Sequence, residues 1–284
     1  MEYNTEISAL LNLIDDPDEE IFGAVSERIV RYGKSIIPSL ENLWEHTPHE
    51  GIQERIELLI HRLHFTDLKE DFRQWGLAGH HDLMVGALLA AKFQYPELST
   101  APVLLEIEKL RRNIWLELNN YLTPLEQVRI ITGILYGYFG LKGTEVAYED
   151  VNDFLLHKTL EKKTGNSVSN AVLYLILCDL LDTNVKAIAV PKQNVLAYFR
   201  PAAGNEPARI EFYVDPTSGQ VFSNNDLQAY FKRISVPPVA SYFKPQTNKQ
   251  VIQHLLHEMG KCFDVDKESY KIEELKSLID LLDE

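Results

Sequence analysis

The chain has 284 residues, 45% of them hydrophobic and 25% charged, enough to bury one substantial core with one or two smaller helical units beside it. Its 42 acidic against 28 basic residues leave a formal net charge of -14, which repels phosphate backbones and anionic lipid and so excludes nucleic acid and membrane surfaces as expected partners. Two cysteines, Cys178 and Cys262, cannot build a disulfide framework, and both lie in helical apolar patterns expected to hold reduced thiols.

Met1 to Glu6 lacks the basic start and apolar stretch of a secretory signal, and no apolar run approaches the roughly 20 residues that span a bilayer, so a cytoplasmic protein is expected. Asp15-Asp16-Pro17-Asp18-Glu19-Glu20 reads as a solvated helix start, because carboxylates favour the positive helix N-terminus and no calcium-loop spacing follows. Asp18 to Tyr32 then places Ile21, Val25, Ile29 and Val30 on one face, Gly33 breaks the run, and Ser35 to Glu45 resumes it with Ile36, Ile37, Leu40 and Leu43. A third helix is predicted from Gly51 to His64, with Ile52, Ile56, Leu59, Ile60 and Leu63 inward. Together these segments resemble a HEAT-type repeat, a module that offers a protein-interaction surface.

Helical spacing continues from Leu83 to Tyr95 and from Ala101 to Tyr121, with Pro96 and Pro102 marking the boundary. Thr123-Pro124-Leu125-Glu126 carries a capping box for a helix running to about Tyr138. Gly140-Leu141-Lys142-Gly143-Thr144 lacks both the Walker spacing and a preceding strand, so it is no phosphate loop. Asp150 caps a helix from Val151 to Lys163, closed by Gly165, and the next segment, Gly165 to Leu181, is apolar nearly all round and should form the buried centre of the core.

After Asp182 the pattern changes to short runs of β-formers: Lys186 to Val190, Val195 to Phe199 and Arg209 to Val214, with a Pro201 to Pro207 loop between the last two. A turn at Asp215 to Gly219, a short strand at Gln220 to Phe222 and a helix from Asn224 or Asn225 to Arg233 follow. Two amphipathic helices, Lys249 to Phe263 and Lys267 to Leu282, finish the chain. Three parts are expected: residues 1–98 as the helical module, 99–243 as the core and 244–284 as a helical pair.

Three motifs carry the chemistry: Gly165-Asn166-Ser167-Val168-Ser169, Pro191-Lys192-Gln193-Asn194 and Val214-Asp215-Pro216. In this order they resemble the transglutaminase-like superfamily, in particular a bacterial branch with a Gly-Asn-Pro-Ile-Ser type motif at a helix start, Pro-x-His-Phe on the following strand and Asp-Pro on the next. The resemblance covers roughly Leu104 to Tyr242. It implies an α+β, predominantly helical fold: a papain-like core with a small antiparallel sheet, flanked by N-terminal HEAT-like helices and C-terminal helices. It also implies acyl transfer or amide hydrolysis through a Cys-His-Asp triad in the active members. Here Ser169 falls at the cysteine position and Gln193 at the histidine position, while Asp215 keeps the third. Asn166, Asn194 and Tyr198 would line the cleft.

A serine hydroxyl needs a neighbouring base to take its proton during attack, and a glutamine amide cannot act as one near neutral pH. All nine histidines lie outside the span from Lys158 to Gln253, and Cys178 sits on roughly the opposite helix face from Ser169. The expected function is therefore non-catalytic, a pseudoenzyme that binds a protein, peptide or small ligand. The alternative is a serine-dependent hydrolase or acyltransferase with a substitute base, for which Lys192 stands nearest in sequence. No cofactor is expected, and no metal either. The Glu57, His61, His64 face, the His254 and His257 pair and the adjacent His80 and His81 lack a fourth ligand and a His-Glu-x-x-His motif.

Overall fold

The computed structural model describes Glu6 and residues 9–16, 18–202 and 208–283. The Met1 to Thr5 start, Pro17 of the acidic run and residues 203–207 of the predicted loop lie outside the described residues. The chain divides into two units, Met1–Asp71 and Phe72–Glu284.

In the first unit, α1 (Glu19–Arg31) begins at Asp18, whose carboxylate accepts the Glu20 N–H. Gly33, at φ +68°, takes a left-handed conformation that costs a glycine little, and one 3-10 turn (Gly33–Ile36) leads into α2 (Ile37–His46). Phe22, Val25 and Ile29 of α1, Leu40 of α2, and Ile56, Leu59 and Leu63 of α3 (Glu50–Leu77) share one buried cluster. Helix α3 runs well past the predicted end at His64, because Leu68, Phe72 and Trp75 extend its buried stripe at helical spacing.

The second unit is built around α8 (Ser167–Leu180), in which every residue from Val168 to Cys178 is buried. Packed on it are α4 (Leu83–Gln94), α5 (Ala101–Glu117) and α7 (Leu156–Lys162). Helix α6 (Pro124–Thr132) carries the predicted Thr123/Glu126 capping box. It continues as a π-helix (Gly133–Tyr138) rather than as regular α-helix, while α5 stops at Glu117, short of Tyr121. Asp150 caps a 3-10 turn (Val151–Phe154), and α7 ends at Lys163 in a left-handed conformation, not at Gly165. Gly165 instead belongs to β2 (Thr164–Gly165), which pairs parallel with β1 (Lys142–Gly143), a pair too short to leave a periodic signal in sequence.

Strands β3 (Val185–Ile188), β4 (Val195–Arg200), β5 (Arg209–Val214) and β6 (Val221–Phe222) form an antiparallel sheet in that order. Val195 and Ala197 of β4 pack with Leu227 and Phe231 of α9 (Asn224–Arg233), while Leu196 and Tyr198 point to the other face. Helix α9 is capped by Ser223 with Asp226, one residue ahead of the predicted asparagines. Thr247 and Gln250 make a capping box for α10 (Asn248–Gly260), which packs on α4 and on α11 (Ser269–Asp283). The α4/α10 approach is close: a Cβ on Gly86 would meet Ile252 and Trp75 at 2.7 Å. The molecule is α+β and predominantly helical, with the helix that begins near Ser169 set against the antiparallel sheet.

Candidate functional site

The start of α8 positions the first motif. Asn166 is the N-cap, and its Oδ1 accepts the N–H groups of Val168 at 2.9 Å and Ser169 at 3.0 Å. Those orphan donors, at the positive end of the helix, are the groups that an oxyanion would otherwise use. Here they are already capped. Asn166 itself is fully buried, serving the helix rather than lining a cleft.

Ser169 is 1% exposed, and its Oγ faces Asn166, 3.4 Å from Oδ1 and 3.5 Å from the backbone oxygen. A Cβ on Gly165 would collide with Ser169 Oγ and Asn170 Oδ1, so this side of the helix start is packed solid. Among the described residues no imidazole or carboxylate hydrogen-bonds this hydroxyl. Gln193 is half-buried in a turn that Lys192 enters at φ +61°, with its backbone N–H donating to Val190 O at 3.3 Å. Lys192 is exposed.

Asp215 closes β5 and spends both carboxylate oxygens on its own turn, accepting from Thr217 N–H at 2.9 Å and from Ser218 Oγ at 2.7 Å. That turn is clamped. Tyr136 Oη of the π-helix donates to Pro216 O at 2.5 Å, and Gly219, at φ +72°, lies so close that a Cβ would meet the Tyr136 ring at 2.6 Å. A Cβ on Gly143 would strike the backbone of Thr217. The side chains of Ser169 and Asp215 thus hold local partners, and among the described residues no hydrogen bond joins Ser169, Gln193 and Asp215 to one another. Tyr198 is a packing residue, stacked on Phe212 with ring centroids 5.1 Å apart.

Ser167 behaves differently from Ser169. Two residues along a helix turn the side chain by about 200°, so the two hydroxyls face opposite ways. Asn194 Nδ2 donates to Ser167 Oγ at 2.8 Å, and Asn194 Oδ1 lies 2.9 Å from His254 Nε2 of α10, which requires the Nε2–H tautomer. On its far side, His254 Nδ1 stands 3.9 Å from Glu258 Oε1. Glu258, nearly buried, also accepts from Tyr148 Oη at 2.6 Å and Lys261 Nζ at 2.5 Å. Burial pushes the Glu258 carboxyl up, but the bonds from Lys261 and Tyr148 outweigh it and hold the group below the usual carboxylate range. Burial pushes the His254 imidazole down.

The sequence leads one to expect Asn194 in a cleft but carries no signal for its partners Ser167 and His254. His254 sits outside the core span in sequence, and only the packing of α10 brings it in. Beneath Asn194 and His254 lies a cavity lined by Val168, Val172, Leu175 and Leu196, holding about 20 Å³, room for one water molecule. Cys178 is fully buried with its thiol pushed up by burial, and Cys262 is pushed up to about 11 by the same cause, so neither offers a thiolate nucleophile. Among the described residues no group of three or more His, Cys, Asp or Glu can hold a metal ion, and no helix is long and apolar enough to cross a membrane.

A family model described as the transglutaminase-like superfamily matches residues 101–257. Protein SirB1 of Salmonella typhimurium is 25% identical over 176 residues, covering 60% of this chain and 62% of that protein, and SirB1 of Salmonella typhi matches to the same extent. A UPF0162 protein of Vibrio cholerae is 26% identical over 149 residues, covering 52% of this chain and 53% of its own length. The chain therefore spans less than two thirds of the curated relatives it matches. No solved structure matches it.

Proposed function

The chain belongs to the transglutaminase-like superfamily, and from that membership we propose that it is a member without acyl-transfer activity, serving as a protein- or peptide-binding module. One observation carries the reading: at two of the three positions where the family's chemistry is expected, and at the helix start beside them, the functional groups are spent on local structure, while the third holds the amide of Gln193. Ser169 Oγ faces Asn166, the helix-start N–H groups are capped by Asn166, and both Asp215 oxygens bind their own turn. Removal of a triad member costs on the order of a thousandfold or more in rate, and here the hydroxyl and the helix-start donors are diverted while the expected base position holds a glutamine amide. The N-terminal helices, read as HEAT-like, supply an interaction surface, and two free cysteines suit a reducing cytoplasmic setting.

The test is an assay with amine donors and peptide or ester acyl substrates. No turnover above buffer is expected, and turnover that vanishes in Ser169→Ala overturns the reading.

A second reading has one observation in its favour. Ser167 and His254 are joined through Asn194, so a serine-dependent hydrolase built on Ser167 has an imidazole one amide away. The intervening amide carries no transferable proton at neutral pH, which weighs against this reading. A fluorophosphonate probe that labels Ser167 covalently, and fails to label His254→Gln, would establish it.

A further inference from the structure

Helix α5 buries Val103, Ile107, Leu110 and Ile114 against α8 and the helices beside it. At 100° per residue those four fall on one side, and the opposite side of such a helix should be polar. It is not. Leu105, Trp115 and Leu116 are 72%, 60% and 67% exposed, and Leu104 beside them is 39% exposed. With Glu108 and Arg112 they occupy an arc of about 120° of the helix. A folded monomer rarely shows so much aliphatic and aromatic surface together, and tryptophan is among the side chains that most often anchor an interface.

The order of these groups along the helix indicates what covers them. Leu104 and Leu105 stand six and five residues before Leu110, and Trp115 and Leu116 stand five and six after it. Glu108 stands two before and Arg112 two after. The two apolar pairs therefore lie at equal distances from one centre, about 16 Å apart, and the two charges at equal distances from it are opposite. A second α5 laid antiparallel, with the two Leu110 positions level, sets Leu104 opposite Trp115 and Leu105 opposite Leu116, and each contact occurs twice. Self-matching of this kind about a two-fold axis is what an isologous interface requires, and a foreign surface would not impose it.

The charged centre fits the same partner. Arg111 donates to Glu108 from Nε at 2.7 Å and from Nη2 at 2.6 Å, and a carboxylate so paired retains acceptor capacity. Arg112 makes no ion pair among the described residues. In the antiparallel arrangement Arg112 of each copy comes within reach of Glu108 of the other.

We propose that α5 is the face through which two copies of this chain pair, antiparallel and centred on Leu110, with Trp115 as the anchor. The pairing stands apart from the question of acyl transfer, since it uses none of the motif residues.

The full chain is followed by sedimentation velocity over a concentration series. A monomer–dimer equilibrium is expected, and Trp115→Ala, at an exposed position, should weaken it by about tenfold or more with an unchanged far-UV spectrum. Arg112→Glu should weaken it as well, and Glu108→Arg combined with Arg112→Glu should recover the dimer, because the swap re-forms both pairs between copies. For the register, Leu105→Cys and Leu116→Cys chains are oxidised separately and mixed. The mixture should form a disulfide-linked dimer faster than either variant alone, with the parent chain, whose own Cys178 is buried, as the control. A single monomer at about 0.3 mM overturns the proposal and leaves the face to a different protein. A dimer indifferent to Trp115→Ala overturns it by placing the interface elsewhere. Charge reversal without recovery, or cysteine variants that link to themselves as fast as to each other, overturns the antiparallel pairing.

Discussion

Asn194 donates to Ser167 at 2.8 Å and accepts from His254 at 2.9 Å, so one amide ties the start of α8 to α10. The amide supplies one donor and one acceptor where the strand start, the helix start and the C-terminal helix converge. Asn194→Leu would leave both partners short of a hydrogen bond in a half-buried setting. A loss of about 1–3 kcal/mol is expected, read as a lower urea midpoint at unchanged slope. An unchanged midpoint would show that water replaces the amide without cost.

Placing the family's expected cysteine and histidine at Ser169 and Gln193 should not create acyl-transfer chemistry. In Ser169→Cys combined with Gln193→His, the new thiol would sit at a position 1% exposed, against Asn166 and Gly165, with Asp215 still held by its own turn. Burial would raise its pKa as it does that of Cys178. The double variant is expected to show no acyl transfer, and iodoacetamide should alkylate the native thiol far more slowly than the unfolded one. Rapid labelling would mean that this side of α8 is open in solution.

The Asp-Pro turn depends on the absence of a side chain at position 219. Gly219→Ala would both strain a left-handed backbone and push a methyl into the Tyr136 ring and Thr132, whose nearest atoms stand at 2.6 Å. Overpacking of this kind costs about 1–3 kcal/mol, before the backbone strain is added. A lowered melting temperature is the expected readout, and Tyr136→Leu, which makes room in the same place, should recover part of it.

Acid should weaken the fold in a window set by two imidazoles. Burial pushes both His254 and His157 below their ordinary value. A histidine neutral in the folded state and protonated in the unfolded state makes the unfolded chain bind more protons between the folded value and about 6.5. Its contribution is fully present above that pH and fades as pH falls through the window. Glu258, held low, contributes stability that is lost only at lower pH, as the solution falls through its folded value. Urea titrations between pH 7.5 and 5.5 should show falling stability, with a shallower fall in His254→Gln. A variant with the parental slope would remove His254 as a source.

The helices whose apolar stripe repeats over several turns could be read from the sequence, as could the three strands rich in β-formers and the Thr123 capping box, because each signal is local. The π-helix at Gly133–Tyr138 could not. It lets Tyr136 reach Pro216 and adjoin Gly219, a demand that comes from a turn some eighty residues on. The β1/β2 pair escaped for the same reason, since two residues leave no period and their pairing is decided by what surrounds Gly143 and Gly165.

By itself the amino-acid sequence determined the fold class and the residue type at each motif position, because patterning and residue type are properties of short stretches. Only the tertiary structure decided which hydroxyl faces which group. Helical rotation turns Ser169 inward and Ser167 outward, and the packing of α10 on α4 carries His254 to Asn194. Contacts between distant segments depend on how whole faces dock, and no local stretch of chain contains that information.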